Sequence, residues 1–194
     1  MIKVVLACIM LVTFCLSATA GEITVAAGAG LKDVLNDVAA AFVQRNQSVR
    51  IMKNFAASGV LAKQLDSGAH ADIVFVANRE WMDYLKEKKH VDVSTITPFA
   101  YNTLVFVGKG AQGVSRLNEV TKLDRIAVGS PKSVPAGEYA VEALRNAGIE
   151  KQLEKKLVMT RDVRECLLYA ERGEVDGGYL GNRQSTLCPC PQGG

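Results

Sequence analysis

Histidines, cysteines and one well-placed serine are the residues of this sequence whose types could do covalent or acid–base chemistry, and their spacing argues against it. His70 lies in the run Gly68-Ala69-His70-Ala71, and His90 follows the Lys-rich stretch Lys86–Lys89. Both read as solvent-facing side chains rather than general bases. Ser58 lacks the Gly-x-Ser-x-Gly surroundings of a hydrolase nucleophile. No His, Cys and carboxylate cluster has metal-ligand spacing, so no protein-ligated metal cation, no catalytic residue and no cofactor is expected. Of the five cysteines, Cys8 and Cys15 fall in an N-terminal apolar run. The remaining three make an odd number, which is no disulfide framework. Cys166 reads as core, and Cys188-Pro189-Cys190 as half a metal site or, preferably, part of an unstructured tail.

Helix starts carry more information than side chains. A helix N-terminus presents backbone N–H groups without intrahelical partners, together with a partial positive charge. Four segments place such a start after a strand or turn: Ala26-Ala27-Gly28-Ala29-Gly30-Leu31, Phe55-Ala56-Ala57-Ser58-Gly59, Val134-Pro135-Ala136-Gly137 and Arg161-Asp162-Val163-Arg164. Each alone has a structural explanation, as a tight turn, a Ser58 N-cap, a helix-opening Pro135 or an Asp162 N-cap. Together they form a set of uncharged donors suited to an oxyanion. A dinucleotide loop would need a third glycine where Asp33 stands, and an acid there repels a pyrophosphate, so a secreted nucleotide-using enzyme is the weaker alternative.

The elements that must position these loops alternate. Strands are predicted at Glu22–Ala26, from Val49, at Asp72–Ala77, Leu104–Val107 and Ile126–Val128, and from Val175. Helices are predicted on Leu31, Val34, Leu35, Val38 and Phe42, on Val60, Leu61 and Leu65, on Trp81, Tyr84 and Leu85, on Ala136–Ala147 and on Val163–Ala170. The uninterrupted apolar run Ile73–Ala77 predicts a strand covered on both faces, and Tyr139, Ala143 and Leu144 are predicted to point inward. Alternation of this kind predicts an α/β chain with parallel sheets. A break before Leu104 suggests two lobes, residues 21–101 and 102–181, with a tail at 182–194 that has no apolar periodicity.

Residues 1–20 read as a Sec-type signal peptide cleaved after Ala20, because Lys3 precedes a short apolar run ending in Ser17-Ala18-Thr19-Ala20. The product is then expected in the periplasm or outside the cell, with no stable membrane anchor. Scattered Lys and Arg with a formal charge of +3 exclude a nucleic-acid binder by charge pattern.

In order, these motifs resemble the molybdate- and tungstate-binding periplasmic proteins of bacterial ABC importers. The stretches that carry the resemblance include Ile23-Thr24-Val25-Ala26-Ala27, Phe55-Ala56-Ala57-Ser58-Gly59-Val60-Leu61-Ala62, Gly68-Ala69-His70-Ala71-Asp72-Ile73, Val134-Pro135-Ala136-Gly137-Glu138-Tyr139-Ala140 and Asp162-Val163-Arg164. The resemblance implies a two-lobed type II periplasmic-binding-protein fold, incomplete at the C-terminus. It implies an oxyanion ligand, a membrane permease as partner and action as a monomer, with sulfate or another oxyanion as the alternative ligand. Carried over by position, Ser58 offers its hydroxyl and amide, and Ala136 and Val163 their amides. Gly30 stands where many relatives have a ligand-contacting serine, so one hydroxyl is lost. The family pattern fails after Gly178: strict counting puts Gly181 at the position of a ligand-binding tyrosine, with Tyr179 as a substitute. A shifted reading frame there would explain the departure, and a chain lacking the returning strand is expected to be less stable and to bind weakly.

Overall fold

The computed structural model describes residues 21–181. The signal-peptide reading, the tail at 182–194 and the Cys188–Cys190 pair fall outside the described residues. Among the described residues, seven strands form two sheets. The first is built from β1 (Gly21–Gly28), β2 (Val49–Ala56) and β3 (Ile73–Phe75), in the order β2-β1-β3 and all parallel. The second takes β4 (Leu104–Val107), β5 (Ile126–Gly129), β6 (Leu157–Thr160) and β7 (Gly177–Gly181), in the order β4-β7-β5-β6. Here β5 runs parallel to both neighbours, while β4 is antiparallel to β7, with Leu104 opposite Gly181.

The helices are α1 (Lys32–Arg45), α2 (Ser58–Asp66), α3 (Arg79–Glu87), α4 (Pro135–Asn146), the single turn α5 (Glu150–Leu153) and α6 (Val163–Arg172). The chain therefore builds the same β-α-β-α-β unit twice, once as β1-α1-β2-α2-β3 and once as β5-α4-β6-α6-β7. In each unit the first strand lies in the centre of the trio. No sequence repeat announces this, because only the periodicity of apolar residues is shared. Residues 96–103 carry the chain from the first unit to the second without regular structure.

Central strands are the buried ones. Val25, Ala26 and Ala27 of β1 and all of β5 are shielded, as both faces of a central parallel strand must be. The second unit holds the larger core, around Val120, Ile126, Val128, Ala140, Leu144 and Leu153. Helix α4 approaches β5 closely because of one glycine: a Cβ at Gly137 would collide with the backbone of Gly129.

Two expectations are corrected. The run Ile73–Ala77 makes a strand of three residues at a sheet edge, and Ile73 is 45% exposed, because no strand lies beyond β3 among the described residues. The apolar stripe of α1 is also open: Val34, Val38 and Phe42 are all exposed, and only Ala39 is buried. Strand β6 escaped the sequence reading because Leu157–Thr160 is too short to show a period.

Candidate ligand-binding site

Four of the five predicted site residues line one cavity. It lies between the two units, has a volume of about 430 Å³, and includes Gly30, Ser58, Ala136 and Val163 in its wall. Each arrives on a helix start that follows a strand. Gly30 lies in the short turn between β1 and α1, Ser58 is the first residue of α2, Ala136 the second of α4 and Val163 the first of α6.

Local chemistry leaves the donors free. At α6, Asp162 caps the helix by accepting from the amides of Arg164 at 2.8 Å and Glu165 at 3.0 Å, which leaves the preceding amide of Val163 without an acceptor among the described residues. At α4, Pro135 has no N–H to give, and the Gly137 and Glu138 amides bond the Val134 carbonyl. The Ala136 amide between them has no protein acceptor among the described residues.

Ser58 is 1% exposed, yet its hydroxyl does not cap α2; the N-cap residue is Ala57. Its Oγ accepts from the Ala77 amide at 3.0 Å. A hydroxyl that accepts on one side keeps its own proton to donate on the other. The N-cap explanation offered by the sequence is thereby replaced by a cross-connection between α2 and the loop after β3.

The wall holds no Lys or Arg. Its one charged residue is Asp162, whose carboxylate is engaged with the first turn of α6. Two further polar side chains on this wall, Asn102 and Thr103, come from the segment between the units.

Tyr179 is not brought to the cavity. Its position on β7 turns the ring into the core of the second unit, against Phe106 at 5.0 Å between ring centres. The hydroxyl is buried without a hydrogen-bond partner among the described residues, and burial pushes its pKa up to about 12. Tyr179 as a ligand contact is therefore corrected. Gly181, two residues on and so on the same face further along the strand, lines the cavity instead.

A different tyrosine does reach the wall. Tyr139 was predicted to point inward from α4 but is 40% exposed and faces the cavity. Burial, reinforced by Glu80 and Glu138, raises its pKa, while a hydrogen bond with Asn78 acts in the opposite direction. Glu138 beside it is also raised, by burial first and then by Glu80 and Glu142. The sequence signal for Tyr139 was its place one turn after Ala136, which the helical period could not resolve into core or cleft.

Both histidines lie on the outside, as read: His70 contacts Asp72 and His90 contacts Asp66, each at 3.2 Å. Cys166 is core, its thiol raised to about 12 by burial. Among the described residues no group of His, Cys, Asp and Glu could hold a metal ion, and no helix is long and apolar enough to cross a membrane.

A cleft between two α/β units, with a serine hydroxyl and amides free of protein acceptors among the residues of its wall, can hold a small anion by hydrogen bonds. The model of one family, bacterial extracellular solute-binding proteins, matches residues 23–189. The chain belongs to that family. Among curated members, the molybdate-binding protein ModA of Escherichia coli is 38% identical over 168 residues, which are 82% of this chain and 65% of the relative. The chain thus spans just under two thirds of that relative's length. Among solved structures, the substrate-binding domain of a putative molybdenum ABC transporter from Clostridium difficile is 33% identical, with a TM-score of 0.58, covering 82% of this chain and 71% of the other. The periplasmic molybdate-binding protein of Azotobacter vinelandii, at 19% identity, shares the fold with a TM-score of 0.74, over 82% and 71% of the two chains.

Proposed function

We propose that this solute-binding protein captures molybdate or tungstate outside the cytoplasm and delivers it to the membrane permease of an ABC importer. The observation that carries the reading is that Ser58, whose hydroxyl keeps a proton to donate, and Ala136 and Val163, whose amides have no acceptor among the described residues, all line one cavity whose wall holds no Lys or Arg. The similarity to molybdate-binding relatives supports the choice of ion.

Physically, the set discriminates by protonation. Donors alone suit an anion that carries no hydrogen, because a protonated oxygen would bring a donor that finds no acceptor. Molybdate and tungstate are fully ionised at neutral pH; phosphate largely is not. Helix starts supply partial positive charge at four points, and neutral donors avoid the desolvation penalty of a buried Lys or Arg. The two α/β units act as lobes, residues 21–101 and 102–181, that close on the ligand by hinge motion through residues 96–103. In this reading the chain works as a monomer, exported by the segment that precedes Gly21.

Titration calorimetry with molybdate, tungstate, sulfate and phosphate tests the proposal. Saturable heat with molybdate and tungstate, competing for one site, is expected, with none from phosphate. Binding of phosphate alone, or of none of the four, would overturn it.

A further inference from the structure

Ion pairs in this molecule stay within one unit or the other, with a single exception among the described residues: Arg164 reaches Asp33. The contact is bidentate. Arg164 Nη1 donates to Asp33 Oδ2 at 2.9 Å and Nη2 to Oδ1 at 3.2 Å. Neither residue lines the cavity, but each stands within two residues of one that does, Asp33 of Leu31 and Arg164 of Val163. Asp33 is in the first turn of α1, directly after the turn that holds Gly30, and Arg164 follows Val163 in the first turn of α6.

Dipole considerations single out Arg164. Asp33 at a helix start is favourable, whereas a guanidinium at the start of α6 is opposed by the helix dipole. The α6 start gains nothing locally from this cation, so its partner across the cleft gives it a role. Fold stability is a poor explanation, since the pair is open to solvent, with Arg164 39% and Asp33 74% exposed, and exposed pairs contribute little to stability.

We propose that Arg164 and Asp33 are positioning residues for ligand capture, clasping the two units beside the cavity so that Gly30 and the Val163 amide meet the same bound anion. The proposal rests on the anion-capture reading above and adds residues that touch no ligand. On the other side of the cleft the described residues meet through neutral or single contacts, which include Gly59 N–H to the Ser133 carbonyl at 3.0 Å, Asn78 Nδ2 to Glu138 at 3.3 Å and the Tyr139–Asn78 hydrogen bond. Among the described residues, Arg164–Asp33 is thus the one charged clasp. Pairing also holds the guanidinium on Asp33 instead of on the ligand, which keeps the ligand's surroundings uncharged.

The test uses the full chain and the variants Asp33→Asn, Arg164→Gln and the exchanged pair Asp33→Arg with Arg164→Asp. Stopped-flow release of molybdate is measured. Each single change is expected to speed release about two- to fivefold, with the melting midpoint nearly unchanged, and the exchanged pair is expected to restore slow release. If Arg164 instead attracts the anion directly, Asp33→Asn frees it and slows release; that result, or no change in either single variant, overturns the proposal. Should the unaltered chain bind no molybdate, the capture reading fails, and small-angle scattering of the ligand-free proteins decides on the clasp. A larger radius of gyration in both single variants supports it, and identical scattering overturns it.

Discussion

Ser58 shows how one side chain can serve fold and ligand together. Its oxygen accepts from Ala77, tying α2 to the loop beyond β3, and its proton remains for the cavity. Ser58→Ala should therefore have two effects. Loss of a hydrogen bond to a charged ligand is worth roughly 1.5–3 kcal/mol, a weakening of binding by about ten- to a hundredfold. The orphaned Ala77 amide should lower stability by about 1–3 kcal/mol. Calorimetry and thermal melting of the same variant separate the two. The sequence made Ser58 visible by its place before an apolar run, but the identity of its acceptor role was not legible, since Ala77 lies nineteen residues away. Tyr179 and Tyr139 exchange roles for a similar reason. A strand sends alternate side chains to opposite faces, and the pattern Gly177-Gly178-Tyr179-Leu180-Gly181 is apolar on both, so nothing local says which face meets the core.

Helix starts are the elements on which the site depends, and their donors can be deleted one at a time. Val163 is the first residue of α6, a position where proline is tolerated because its N–H has no intrahelical partner. The preceding Asp162 already has an extended backbone, φ −156° and ψ 175°, as a residue before proline requires. Val163→Pro should accordingly keep α6 while removing one donor. Anion affinity is expected to fall about tenfold or more, with circular dichroism unchanged and a modest loss of melting temperature. Retained affinity would place the ligand away from this amide. The caps themselves were legible: Asp162 before the Val163–Ala170 stripe and Gly173 after it, with φ of 70°, bound the helix in both sequence and structure. Boundaries set by short apolar runs were not, and β6 is the example.

At the scale of the molecule, two copies of one β-α-β-α-β design face each other, and their difference is informative. The second sheet extends beyond β7 by the antiparallel β4, whereas the first sheet stops at β3 among the described residues. With β3 short and the α1 stripe exposed, the first unit buries less apolar surface than the second. Alternation of strands and helices was enough to read parallel α/β units from the sequence, and the order of motifs was enough to suggest the family. What joins the units was not readable, because Arg164 and Asp33, or Gly59 and Ser133, meet only after both units have folded.

The most direct test of a neutral donor set is to watch the donors themselves. In a titration of isotopically labelled protein with molybdate, followed by amide nuclear magnetic resonance, the Ser58, Ala136 and Val163 signals should move together and saturate at one ligand equivalent. Movement confined to other amides, or three signals saturating at different ligand concentrations, would contradict the account.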